Sequence, residues 1–175
     1  PGNDNGNAIT NYAYGLNGGG FTNLNPADAS SPITIARLTN GTTYSIKLKA
    51  VNSVGTSGES AAVSVTPATV PAAPTSLSAI AGNNRATISF TPGNDNGATI
   101  TNYAYSLNDA DFADLNPADA TSPITIARLT NGTTYSIKLK AINSVGSSTE
   151  SADVSVTPAT VPAAPTSLSV TAGAN

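Results

Sequence analysis

Four residue types that carry much of enzyme and metal chemistry are missing: the 175-residue chain has no cysteine, histidine, methionine or tryptophan. Without cysteine and histidine there is no thiol nucleophile, no usual transition-metal ligand, and no side chain that titrates unaided near neutral pH. No disulfide staples the fold, so stability must come from a packed core. Charge is scarce too, with seven basic and ten acidic residues leaving a net −3. Nucleic-acid binding calls for a concentrated basic patch, and this balance does not supply one. No apolar run in the sequence approaches the roughly 18 residues of a membrane span, and no signal peptide is visible.

What is present is repetitive. The stretch LTNGTTYSIKLKA at positions 38–50 returns letter for letter at 129–141. Sliding the chain against itself pairs positions 1–84 with 92–175 without a gap, and 68 of the 84 pairs are identical. Six of the sixteen differences fall in one nine-residue stretch, where Gly15, Gly18, Gly19, Gly20, Thr22 and Asn23 meet Ser106, Asp109, Ala110, Asp111, Ala113 and Asp114. Variation concentrated in this way predicts an exposed loop, because core positions cannot change volume freely. A period of 91 residues is long for a solenoid and suits one small autonomous domain per copy. The closely spaced prolines Pro67, Pro71 and Pro74, with Pro158, Pro162 and Pro165 in the second copy, predict short extended joints.

Within a copy every signal is strand or turn. Apolar residues make up 39% of the chain and alternate with polar ones, which argues against disorder. Ala86, Ile88 and Phe90 alternate with Thr87 and Ser89 before the PGNDNG turn. Ile100, Tyr103 and Tyr105 follow, then the loop carrying Asp109 and Asp111, then Ile124 and Ile126 around Thr125. After the Asn131-Gly132 turn, Tyr135, Ile137, Leu139 and Ala141 point one way while Ser136, Lys138 and Lys140 point the other. Val154 and Val156 close the copy. No helical periodicity appears, so an all-β sandwich is expected.

At this level the chain resembles tandem fibronectin type III domains. Leu129, Gly132, Thr133, Tyr135, Ile137, Leu139, Ala141, Asn143 and Gly146 resemble that family's E–F corner, F strand and F–G turn, with Tyr135 and its copy Tyr44 in the tyrosine-corner place. Phe90 stands where the family usually buries a B-strand tryptophan. The near-identical copies and the wealth of Ala, Thr, Ser, Asn and Gly resemble the family's bacterial surface-protein branch. The resemblance implies an immunoglobulin-like β-sandwich with seven strands per complete copy, in sheets A-B-E and C-C′-F-G. No Arg-Gly-Asp occurs, so integrin binding is not implied.

In that frame, positions 1–67 are a partial repeat with strands C to G but not A and B. Positions 68–160 are a complete repeat, and 161–175 begin a further one with its strand A. A copy without strands A and B is expected to expose the core face of Tyr44, Ile46 and Leu48.

Candidate binding residues are few. Asp109, Asp111 and Asp114 bunch on one loop near Asp119 and are the candidates for calcium, although the spacing lacks the glycine and terminal glutamate of an EF-hand loop. The Asn- and Asp-rich turns at 2–6 and 93–97 offer oxygens of the kind a tight turn also uses. Lys47, Lys49, Lys138 and Lys140 form a stripe expected to deter edge pairing. Whichever of Tyr103 and Tyr105 faces outward is the aromatic candidate for a glycan. Asn40 and Asn131 fit a glycosylation sequon and equally an Asn-Gly turn. No paired acids, nucleophile arrangement or phosphate-cradling loop is discernible, so no catalysis and no required cofactor are expected.

The functional expectation is a non-catalytic spacer within an extracellular or cell-surface protein. Its partners are neighbouring repeats or other copies in a fibre, with no nucleic acid and no membrane insertion. The alternatives are a filament subunit completed by strands from neighbouring chains and a calcium- or glycan-binding adhesion module.

Overall fold

Residues that alternate between apolar and polar turn one strand face to a core and the other to water. The computed structural model of the chain describes residues 2–171 and 173, and these form eleven strands and no helix. The strands are β1 (Asn11–Leu16), β2 (Phe21–Asn23), β3 (Tyr44–Val51), β4 (Val63–Val65), β5 (Thr75–Gly82) and β6 (Arg85–Thr91). They continue as β7 (Asn102–Leu107), β8 (Ala113–Asp114), β9 (Ile124–Ala127), β10 (Tyr135–Ile142) and β11 (Val154–Val156). Two compact units result. The first runs to Pro71 and takes in the turns Asn94–Ile100 and Asn143–Ser147; the second holds Ala72–Gly93, Thr101–Ile142 and the residues from Ser148 onward.

The second unit carries all seven expected strands in two antiparallel sheets, ordered β5-β6-β9 and β11-β10-β7-β8. The alternation works as read. Ala86, Ile88 and Phe90 of β6, Ile124 and Ile126 of β9, and Ile137, Leu139 and Ala141 of β10 are all buried. Leu139 lies opposite Tyr105 and Ala141 opposite Tyr103, so β7 and β10 present one continuous inner face. The two sheets meet where the Phe90 ring stands edge-on to that of Tyr103, with centroids 4.6 Å apart.

The first unit has a single sheet, β2-β1-β3-β4. Its register repeats that of the other unit, with Leu48 opposite Tyr14 and Ala50 opposite Tyr12. The strand expected over Ile33 and Ile35 is not formed. A strand needs a neighbour's ladder: β9, its counterpart, is bonded along β6. Residues 33–36 have no such partner among the described residues, and Ile33 and Ile35 stay half-exposed. The same holds for the strand A expected from position 161. No strand forms over 161–171, where Leu168 and Val170 are exposed, and positions 172, 174 and 175 lie outside the described residues.

Identical residues therefore have different surroundings. Ile137 and Leu139 are fully buried, whereas Ile46 and Leu48 are half-buried. Truncating a buried isoleucine to alanine leaves a cavity and costs about 2–5 kcal/mol. Ile137→Ala is expected to destabilise its unit by that amount and Ile46→Ala by clearly less. Denaturant unfolding followed by residue-specific amide signals checks the difference, and equal losses would contradict the open face of β3.

Candidate functional site

The tyrosine-corner residues behave alike in both units. The Tyr44 phenol oxygen accepts a hydrogen bond of 3.0 Å from the Thr39 N–H, and that of Tyr135 accepts one of 3.1 Å from the Thr130 N–H. These bonds tie the start of β3 and β10 to the turn that precedes each strand. Backbone donation favours the phenolate and lowers both pKa values from the ordinary tyrosine value. Leu129, beside Thr130, is buried and anchors the same corner to the core.

The acidic loop does not assemble into a cage. Asp109 forms an ion pair of 2.7 Å with Lys138, while Asp111 and Asp114 are exposed, Asp114 within β8. Among the described residues no three acidic side chains converge so as to hold a metal. Asp119 instead accepts from Thr121, 2.9 Å from its N–H and 2.7 Å from its hydroxyl. The variable stretch is exposed at its tip, but its first position is not. Ser106 is buried and donates to the Ala110 carbonyl at 2.6 Å, where the other copy has Gly15 against the Phe21 ring.

The lysine stripe is engaged on the sheet's outer face. Lys47 and Lys49 lie 3.1 and 3.7 Å from the Glu59 carboxylate, and Lys49 sits 4.2 Å above the centre of the Phe21 ring. In the second unit Lys138 bridges Asp109 and Glu150, and Lys140 sits 4.3 Å above Phe112. The hydrogen bond from Lys47 lowers the pKa of Glu59, and that to Asp109 raises the pKa of Lys138.

The aromatic glycan candidates need correcting. Tyr103 and Tyr105 are two residues apart on one strand and share a face, and that face is the inner one, opposite Ala141 and Leu139. Tyr103 is fully buried, and its hydroxyl has no hydrogen-bond partner among the described residues. Burial pushes its pKa up, and the Asp119 charge adds to the rise. The outward aromatics are Phe21 and Phe112, which the sequence reading missed. Phe21 opens β2 and Phe112 immediately precedes β8, and each lies under a lysine of β3 or β10, a pairing that no local sequence signal marks.

The Asn-rich turns spend their oxygens on themselves. Asn3 and Asp4 accept from the N–H groups of Asn5 and Gly6, each at 3.0 Å, and Asn94 and Asp95 serve Asn96 and Gly97 likewise. Asn131 is also occupied: its carbonyl oxygen accepts from the Asn84 N–H at 2.8 Å and its amide donates to Asn83 at 2.7 Å. Asn40, its copy, is exposed.

Comparison with known proteins agrees with this geometry. Residues 72–157 match the fibronectin type III domain family. The chain is 31% identical over 137 residues to a Kelch domain-containing protein of Saccharolobus solfataricus, a match covering 77% of this chain and 19% of that relative. The chain thus spans about a fifth of the curated relative's length. Among solved structures, domains A168–A170 of titin align with a TM-score of 0.56 at 15% identity, over 87% of this chain and 55% of that one. The FN1–FN3 domains of chicken CNTN1 align with a TM-score of 0.47 at 16% identity, over 86% and 56%. The titin alignment supports the fold alone.

Two predictions follow from the site's polar groups. Because the Tyr103 hydroxyl is buried without a partner, Tyr103→Phe is expected to be neutral or to stabilise by about 1 kcal/mol, measured by denaturant unfolding. A loss of stability would mean that the hydroxyl is satisfied. The pKa of Asp119 is lowered, first by its hydrogen bond from the Thr121 hydroxyl and next by that from the Thr121 N–H; Asp28 is lowered in the same way by Ser30. A carboxyl held lower in the folded chain adds stability that is present above its unfolded pKa of about 4 and is lost as pH falls through the folded value. The melting temperature is expected to fall across that acid range, and less steeply for Asp119→Asn.

Proposed function

We propose that the chain is a segment of a tandem fibronectin type III array that acts as a non-catalytic, tension-bearing spacer in an extracellular or cell-surface protein. The observation that carries the reading is the gapless repeat, 68 identical pairs of 84, laid over a domain whose two sheets close around one core. A domain repeated almost unchanged supplies length. The strands that open and close the complete unit, β5 and β11, lie in different sheets, so tension across it must part ladders and core together. Extended proline segments limit bending at the joints. The family is common in extracellular proteins, and among the described residues no helix is long and apolar enough to cross a membrane.

Support for the non-catalytic reading comes from the site chemistry. Asp119 is tied to its own turn, Asp109 and Lys138 to each other, and Lys140 to the face of a ring. Pulling the chain by its ends in a force spectrometer tests the proposal. The segment 72–157 is expected to give a distinct unfolding peak with a length gain on the order of 25–30 nm, from about 3.3–3.6 Å per extended residue. Extension with no force peak would overturn the spacer reading.

A further inference from the structure

The turn at 94–98, between β6 and β7, and the turn at 143–146, between β10 and β11, meet as a pair and belong with the residues up to Pro71 in the first unit. Each turn holds itself. Asn94 and Asp95 accept from the N–H groups of Asn96 at 2.8 Å and Gly97 at 3.0 Å, and Asn143 accepts from those of Val145 at 2.9 Å and Gly146 at 3.1 Å. The Asn143 amide then joins the two turns, donating to the carbonyls of Ala98 at 3.1 Å and Asp95 at 3.2 Å. Asn143 is 5% exposed, so these bonds are made away from water.

A peptide lies on this pair. In the segment Pro67-Ala68-Thr69-Val70, the Thr69 carbonyl accepts from the Asn143 amide at 2.9 Å and the Val70 carbonyl from the Asn96 amide at 2.9 Å. The Thr69 N–H donates back to the Asn96 carbonyl at 3.2 Å, so Asn96 meets the segment as donor and as acceptor. The approach is close. A Cβ on Gly97 would meet the Pro67 carbonyl at 2.5 Å, and one on Gly146 would meet the Val70 side chain at 3.1 Å. All four residues of the segment are half-buried, and Pro71, which follows them, is buried.

The bonds that seat the peptide are separate from those that shape the turns. Lifting the segment away breaks three hydrogen bonds and the Val70 contact at Gly146, and it leaves Asn94, Asp95 and Asn143 with the partners that hold their own loops. The segment contributes no fully buried apolar side chain. A stretch held by few bonds and little buried apolar surface stands at the low end of local stability, well below the core strands. We propose that the turn pair at 94–98 and 143–146 is a peptide-binding site whose occupant is the chain's own Pro67–Val70 segment, and that this segment opens from it as a latch while the complete repeat stays folded. The site takes an extended backbone through Asn96 and Asn143 and a branched side chain against Gly146. The inference goes beyond the spacer reading and does not need it, since the latch opens and closes without tension.

Amide hydrogen exchange of the full chain tests the proposal. It is read at Thr69, whose N–H donates to Asn96, and at Leu139, whose N–H donates to the buried Ser151 hydroxyl at 3.0 Å. Thr69 is expected to exchange roughly a hundredfold more slowly than in a free peptide, from three bonds each contributing about a factor of five, and still much faster than Leu139. Asn96→Gly suits the positive φ of 54° there and keeps the backbone carbonyl but loses the bond to Val70. It is expected to speed exchange at Thr69 about fivefold and to leave Leu139 unchanged. Val70→Ala, which withdraws the side chain from Gly146, is expected to act in the same direction. Exchange of Thr69 at the free-peptide rate would overturn the proposal. So would exchange of Thr69 as slow as that of Leu139, which would make the segment part of global unfolding, or a Thr69 rate that neither variant changes.

Discussion

The meeting of Phe90 on β6 with Tyr103 on β7 is the contact on which the complete unit depends, because a sheet with one apolar face has no stable form until a second layer covers it. Once β6 is in place, β9 bonds along it, and Ile88, Ile124 and Ile126 close over Ile137 and Leu139. The first unit shows the same requirement from the other side. Its β1 and β3 pair in the same register with nearly the same residues, yet Ile46 and Leu48 stay half-exposed and residues 33–36 never become a strand. The β1–β3 ladder thus repeats that of β7–β10 without repeating its burial, since burial is a property of the facing layer.

That distinction explains what could be read from the residues alone. The alternation of Tyr135, Ile137, Leu139 and Ala141 was legible because period two is local, and the tyrosine corner was legible because Thr130 and Tyr135 are five residues apart. The strand over Ile33 and Ile35 was misread because its sequence equals that of β9, while strand formation depends on a partner far along the chain. Tyr103 and Tyr105 were offered as alternatives for one outward place although strand geometry puts both on one face. The pairing of Lys140 with Phe112 lay out of reach, as it requires a register between β7, β8 and β10 that no local pattern contains.

The acidic loop illustrates how scarce charge is spent. With ten acidic residues in the chain, a loop carrying three of them invites a metal-site reading. Yet Asp109 lies on Lys138, which is also near Glu150, and the sheet's outer face is completed as small clusters of opposite charge around an aromatic ring. The first unit builds the same cluster from Glu59, Lys47, Lys49 and Phe21 with Gly18, Gly20 and Asn23 where the aspartates stand. The aspartates are therefore dispensable to that face, which is why the loop can vary while the lysines above it do not.

The Asn-Gly turns follow a different logic, in which a turn that satisfies itself can also receive a guest. The turn pair at 94–98 and 143–146, with Pro67–Val70 lying on it, makes the same internal bonds as its copy at 3–7 and 52–55, because Asn94, Asp95 and Asn143 hold their own loops. A preformed site loses little conformational entropy on binding, so a few hydrogen bonds to backbone carbonyls suffice for recognition. Backbone carbonyls carry no sequence information of their own, and the selectivity must come from Val70, whose side chain lies against Gly146 where any Cβ would crowd it. A larger residue in place of Gly146 would close that space and strain the backbone whose N–H Asn143 holds. The glycine, more than the asparagines, decides that a branched side chain can be seated there.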